Sequence, residues 1–200
     1  MRALALALAA VVTSGLPALA LDTASQQVVE RLKPGKRLAI EDVGSLMMGS
    51  ERWCYNEHNG QCAWTDIYLE VTEDGARYEI GNAWDDTVDI VSVDEGVFKD
   101  GRFICETNFD WVPTVRAFSR DDGSALFGRD LEHLRQEIRS NLSGERNGCF
   151  DYVYRSHDVE AETVTLLQRQ YDDGIYNEAG DALVTLYFNK ADADALKWSW

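Results

Sequence analysis

Cys54, His58 and Cys62 stand at four-residue steps, a spacing that on a helix would line two thiolates and an imidazole along one seam as a metal site. Asn56, Asn59 and Gly60 fall between them and argue for a turn instead, so no metal ligand is assigned. Ser156-His157-Asp158 holds the three residue types of a hydrolytic triad. Consecutive strand residues point to opposite faces, and triad members meet from separate segments. No Gly-x-Ser-x-Gly elbow is present. Carboxylate pairs recur at Asp85-Asp86, Asp121-Asp122, Asp172-Asp173 and Asp192 with Asp194, and two carboxylates are all that a glycosidase needs. Most sit beside glycine or at strand ends, where Asp bonds its own backbone in a turn. We therefore expect no two carboxylates to share a cleft with one of them held protonated. No Asp-x-Asp-x-Asp-Gly calcium loop occurs. No catalytic residue, metal or cofactor is expected.

The other chemical resource is aromatic: six tryptophans and eight tyrosines. Trp53 and Trp64 bracket the first cysteine pair, Trp84 adjoins Asp85-Asp86, and Trp111 precedes Val112-Pro113. Each fits ordinary core filling. At the mouth of a barrel the same rings would make a platform for a sugar or an apolar molecule.

The positioning elements begin at the N-terminus. Arg2, the apolar run Ala3 to Val12 and the ending Pro17-Ala18-Leu19-Ala20 have the three parts of a secretory signal peptide. The run is shorter than the roughly 20 residues that span a bilayer. Cleavage near Ala20 would leave one β-rich domain, residues 21–200, secreted or periplasmic. Losing Arg2 leaves 18 basic against 35 acidic side chains, a formal charge of −17. That excess repels phosphates, so nucleic acid and anionic lipid are not expected partners. Trp198-Ser199-Trp200 has the aromatic ending of an outer-membrane barrel, but Asp192, Asp194 and Lys197 break the lipid-facing row such a strand needs. Cys54, Cys62, Cys105 and Cys149 form an even set, which in an oxidising compartment predicts two disulfides. Three pairings are possible. The Asn59-Gly60 turn signal favours Cys54–Cys62, leaving Cys105–Cys149.

Residues 22–32 read as a short helix capped by Asp22 or Thr23 and ended by Lys33-Pro34-Gly35, and Ile40 to Met48 as another turn or two. From Arg52 the period becomes two. In Thr65 to Val71, Ile67, Leu69 and Val71 are expected on one face, with Asp66 and Glu70 turned away. Glu73-Asp74-Gly75 reads as a turn before Ala76 to Ile80. Thr87 to Val93 reads as a strand closed by Asp94-Glu95-Gly96, and Lys99-Asp100-Gly101 as a hairpin turn joining Val97-Phe98 to Arg102–Glu106. Leu131, Leu134, Ile138 and Leu142 recur at helical steps, predicting an amphipathic helix over 130–142 that lies on the sheet or plugs its end, with Gly144 as its stop. Strands resume at Phe150–Arg155, Thr163–Gln170 and Ala182–Phe188. The fold expected is a mainly β antiparallel meander closing into a small barrel of the lipocalin or streptavidin kind, because closure removes exposed edges. A sandwich is the alternative.

Gly75-Ala76-Arg77-Tyr78 followed by Gly81-Asn82-Ala83-Trp84 resembles the strand–loop–strand motif of bacterial periplasmic inhibitors of C-type lysozyme. That family carries Ser where Asp74 stands and a basic residue where Asp85-Asp86 stand. Gly101 to Cys105 and Gly148 to Tyr154 resemble the paired-cysteine strands of exported bacterial barrel domains. The resemblance implies a small acidic barrel. The expected function is an exported binding or inhibitory module for a cationic protein or a small apolar or sugar ligand. Asp74, Arg77, Trp84, Asp85 and Asp86 are expected to form its contact. The alternative is a carboxylate-based hydrolase of envelope glycans.

Overall fold

The computed structural model describes residues 21–107, 109–142 and 148–199; the predicted leader, the Gly144 helix stop and Trp200 lie outside them. The strands are β1 (Arg52–Tyr55), β2 (Gln61–Cys62), β3 (Trp64–Val71), β4 (Gly75–Ala83), β5 (Val88–Lys99), β6 (Phe103–Glu106), β7 (Arg116–Ser119), β8 (Gly148–Asp158), β9 (Thr163–Asp172), β10 (Ile175–Tyr187) and β11 (Lys197–Trp198). The helices are α1 (Thr23–Arg31), α2 (Ile40–Gly49), α3 (Gly128–Asn141) and α4 (Lys190–Ala195). Eight strands run antiparallel in the order β4-β3-β1-β10-β9-β8-β6-β5, and β5 returns to β4 along a ladder from Gly75↔Val97 to Ala83↔Asp89. That ladder makes the sheet a barrel and excludes the sandwich. Asp100 and Gly101 take φ of 57° and 58°, and Asp173 and Gly174 take 49° and 80°, the left-handed conformations that tight hairpins require.

Three local readings need correction. First, Asp94-Glu95-Gly96 does not end a strand: β5 continues through it, with Asp94 opposite Tyr78 and Gly96 opposite Ala76. Gly96 is present because a side chain there would meet Ile104 of β6, not because the chain turns. Second, the faces of β3 are the reverse of those expected. Asp66 and Tyr68 point into the barrel, Leu69 is exposed, and a bulge between Tyr68 and Glu70 returns Val71 to the core. Third, Gly75 to Ala83 is one strand rather than strand–loop–strand. Its mid-strand Gly81 leaves room for the Trp198 ring of β11, whose indole nitrogen donates to Thr65 Oγ1 at 2.9 Å.

One end of the barrel is closed. Asp22 caps α1 by accepting from the Ala24 and Ser25 amides at 2.7 and 3.0 Å. The chain then lies along β8, with Leu38 N donating to Tyr152 O. α2 starts at the β5–β6 turn, where Ile40 N donates to Gly101 O, and ends beside β1, where Glu51 N donates to Tyr187 O. Its Val43, Leu46 and Met47 are fully buried in one cluster with Trp53, Leu166 and Leu186. Burying a side chain of this size contributes about 1.5–3 kcal/mol, so the plug is fixed by packing.

The segment between β6 and β8 lies outside the barrel. β7 pairs with the first half of β5. α3, starting at Gly128 rather than residue 130, packs Leu134 and Ile138 on Ile90, Val112, Val115 and Ala117 in a second small core. It rests on the wall and plugs nothing.

Both disulfides form as expected, Cys54–Cys62 and Cys105–Cys149, which fits an oxidising compartment. Among the described residues no helix is long and apolar enough to cross a membrane. On the outer face Asp151 is fully buried beneath Arg102 and Arg169. The Arg102 Nε donates to Asp151 Oδ2 at 2.7 Å, and Arg169 grips both oxygens at 2.7 Å. Arg102 also lies over the Phe103 ring, 4.2 Å from its centroid. This belt ties β6, β8 and β9 together and is a structural feature.

Candidate ligand cup in the barrel interior

The unplugged end opens into a cup of about 240 Å³. Pleating decides its lining, because alternate residues of each strand face inward. β3 contributes Trp64, Asp66 and Tyr68, β4 contributes Tyr78 and Ile80, and β1 contributes Tyr55. Asp94 comes from β5 and Glu106 from β6. Phe150 and Tyr152 of β8, with Gln168 and Gln170 of β9, complete the wall. Gly180 stands at the rim, where a side chain would run into Gln170. It sits in an irregular stretch of β10 between Asn177 and Ala182. Among the described residues, none that lines the cup is basic.

The rings are ordered. Tyr55 and Trp64 stack with centroids 4.6 Å apart and planes 14° apart. Trp53 meets Tyr68 and Tyr152 edge-on at 5.1 and 5.4 Å, forming the floor. Burial holds the phenols of Tyr55, Tyr68, Tyr78 and Tyr152 above the ordinary tyrosine range, so they remain protonated.

Asp66 is the chemical centre. It is only 6% exposed, and Tyr55 Oη donates to its Oδ2 at 2.6 Å. Its Oδ1 is buried without a hydrogen-bond partner among the described residues. Burial pushes its carboxyl up to about 7; the Tyr55 hydrogen bond opposes this and the nearby Asp94 charge adds to it. Asp94 is 2% exposed, and its Oδ1 accepts from the Glu95 amide at 2.8 Å. Glu106 Oε2 accepts from the Gly148 amide at 3.1 Å.

The expectation that no two carboxylates share a cleft therefore fails. It held for the pairs considered: Asp85, Asp122 and Asp172 all bond groups in their own turns, and Asp194 pairs with Lys190. Of the cup's three carboxylates, Asp66 falls on a face expected to point outward, Asp94 in an expected turn, and Glu106 at the end of an expected strand. The alternation Trp64, Asp66, Tyr68 was the signal that could have found Asp66, since two large aromatics at period two mark a lined face.

The expected contact residues do not converge. Asp74 and Arg77 share a shallow groove at the plugged end, where Arg77 faces Glu95 at 3.8 Å. Trp84, Asp85 and Asp86 lie past the other end of β4, about 30 Å away at roughly 3.3 Å per residue. Trp84 packs against the second core. Asp85 accepts from the Thr87 amide, the Thr87 hydroxyl and the Val88 amide; the Thr87 hydroxyl leads in holding its carboxyl below the ordinary range. The Ser156-His157-Asp158 run stays on one strand, with Asp158 bonding its turn at Glu160 and Ala161. Comparison with protein-family models, with curated proteins and with solved structures finds no match.

Proposed function

We propose that this protein is an exported binding module that holds a small molecule in the open end of its barrel. The observation that carries this reading is the cup itself: concave, aromatic-walled, closed at its base by α2, and furnished with a few convergent polar groups. That combination characterises small-molecule sites. The signal-like N-terminus and the two disulfides support export. At about 240 Å³ the cup lies just below the usual range for ligand pockets, roughly 300–1,000 Å³, so a compact ligand is indicated. Surface recognition of a cationic protein has only the overall charge behind it, because Asp74 and Asp85 sit at opposite ends of β4.

Benzyl alcohol serves as a minimal probe. Titrated into the protein under nitrogen-15 and aromatic carbon-13 NMR, it is expected to shift resonances of Tyr68, Tyr78, Phe150 and Gln170, leaving α3 and β11 unmoved. Gly180→Phe, which fills the rim, is expected to weaken binding at least tenfold. Shifts confined to the outer surface, or equal binding by Gly180→Phe, would contradict the reading.

The hydrolase alternative has one observation in its favour, a buried carboxyl pushed up to about 7 beside a second carboxylate, the pattern of an acid–base pair. The small cup weighs against a glycan substrate. Release of nitrophenol from nitrophenyl glycosides that is abolished in Asp66→Asn would favour this alternative.

A further inference from the structure

Resting on the small-molecule reading above, we infer that the cup's ligand is a compact organic cation bearing at least one N–H, a protonated amine, with Asp66 as its acceptor. Asp66 lines the cup, and its buried Oδ1 has no hydrogen-bond partner among the described residues. A buried polar atom left unmatched is costly, and it defines what a ligand must bring: a donor. The rest of the lining selects the donor's charge. Tyr68, Tyr78 and Trp64 present ring faces and edges around Asp66, and desolvated aromatic faces attract cations. An anion would meet the Asp66 carboxylate, and a neutral alcohol would satisfy Oδ1 without gaining from its charge.

A quaternary ammonium would use the rings but has no hydrogen for Oδ1, so N–H donation separates the two kinds of cation. Tyr55 Oη donates to Oδ2 at 2.6 Å, and among the described residues no phenol donates to Oδ1. Burial of Asp66, which pushes its carboxyl up to about 7, leaves the ionised form under-stabilised in the empty protein. A bound ammonium would supply the missing stabilisation.

Calorimetric titration at pH 8 with benzylamine, benzyltrimethylammonium, benzyl alcohol and benzoate is the test. Benzylamine is expected to bind at least tenfold tighter than benzyl alcohol and severalfold tighter than benzyltrimethylammonium, with benzoate weakest. Asp66→Asn should reduce the benzylamine preference over benzyl alcohol to less than threefold. That variant must still bind benzyl alcohol, which shows the cup intact. Equal binding of amine and alcohol by the native chain would overturn the inference and leave the small-molecule reading standing. A preference for the quaternary ion would overturn the N–H requirement, and an amine preference that survives Asp66→Asn would overturn the role of Asp66. Failure of all four compounds to bind would overturn the small-molecule reading itself.

Discussion

At pH 8 the Asp66→Asn protein is expected to be more stable than the native chain by about 4 kcal/mol. The carboxyl is buried and stays protonated in the folded state up to about 7, whereas in the unfolded chain it ionises near 3.8. Between these values the folded state binds the extra proton, so the Asp66 contribution to native stability falls as pH rises from about 4 to about 7 and is level above that. A difference of about three pH units at roughly 1.4 kcal/mol each gives the figure above. Asparagine keeps the shape and can still accept from Tyr55 Oη, but it carries no charge to desolvate. Asp22, Asp85, Asp172 and Asp194 have carboxyls held low and contribute the opposite slope, stability lost as pH falls. The informative quantity is therefore the difference between variant and native, in which they cancel. The groups that face Asp66 are Tyr55, Tyr68, Tyr78, Tyr152, Asp94 and Glu106, and all are common to both proteins. Urea unfolding at pH 4 and pH 8 measures this difference. A gap that is the same at both pH values, or a destabilised variant at pH 8, would contradict it.

Removing Cys105–Cys149 by a double substitution to alanine is expected to cost about 4 kcal/mol, against roughly 2.5 for Cys54–Cys62. The separations are 44 and 8 residues, and closing the longer loop removes more disorder from the unfolded chain. The location adds weight. Among the described residues the seam between β6 and β8 has two residue pairs, Ile104↔Phe150 and Cys105↔Cys149. Thermal and urea unfolding of the two double variants give the comparison. Equal losses would mean that the insertion holds the seam closed without its covalent link.

Local chemistry explains which parts of this architecture were legible in the sequence. The α1 cap at Asp22, the Asp100-Gly101 turn, the helical steps of Leu134 and Ile138 and the pairing of Cys54 with Cys62 are all written within a few residues. Each formed as its pattern dictates. The cup was not legible because its carboxylates imitate other things. Asp94-Glu95-Gly96 has the composition of a turn, yet Gly96 is required by a side chain from β6, a contact no local pattern encodes. Asp66 was placed on the wrong face because Ile67, Leu69 and Val71 look like an inner row. The bulge after Tyr68 breaks that row, so that Leu69 is exposed while Val71 returns to the core. The expected contact residues lie apart for a simpler reason. Asp74 and Asp85 are near in sequence, but the strand between them is fully extended.

The most direct test is a carbon-13 NMR titration of the Asp66 carboxyl in the intact protein, with and without saturating benzylamine. The account predicts a midpoint near 7 in the free protein. With benzylamine bound the midpoint should fall, because the amine's preference for ionised over protonated Asp66 must appear reciprocally in the carboxyl's own titration, about one pH unit for each tenfold. A midpoint in the ordinary carboxylate range without ligand, or one that benzylamine leaves unmoved, would contradict the assignment of Asp66 as the acceptor of a cationic ligand.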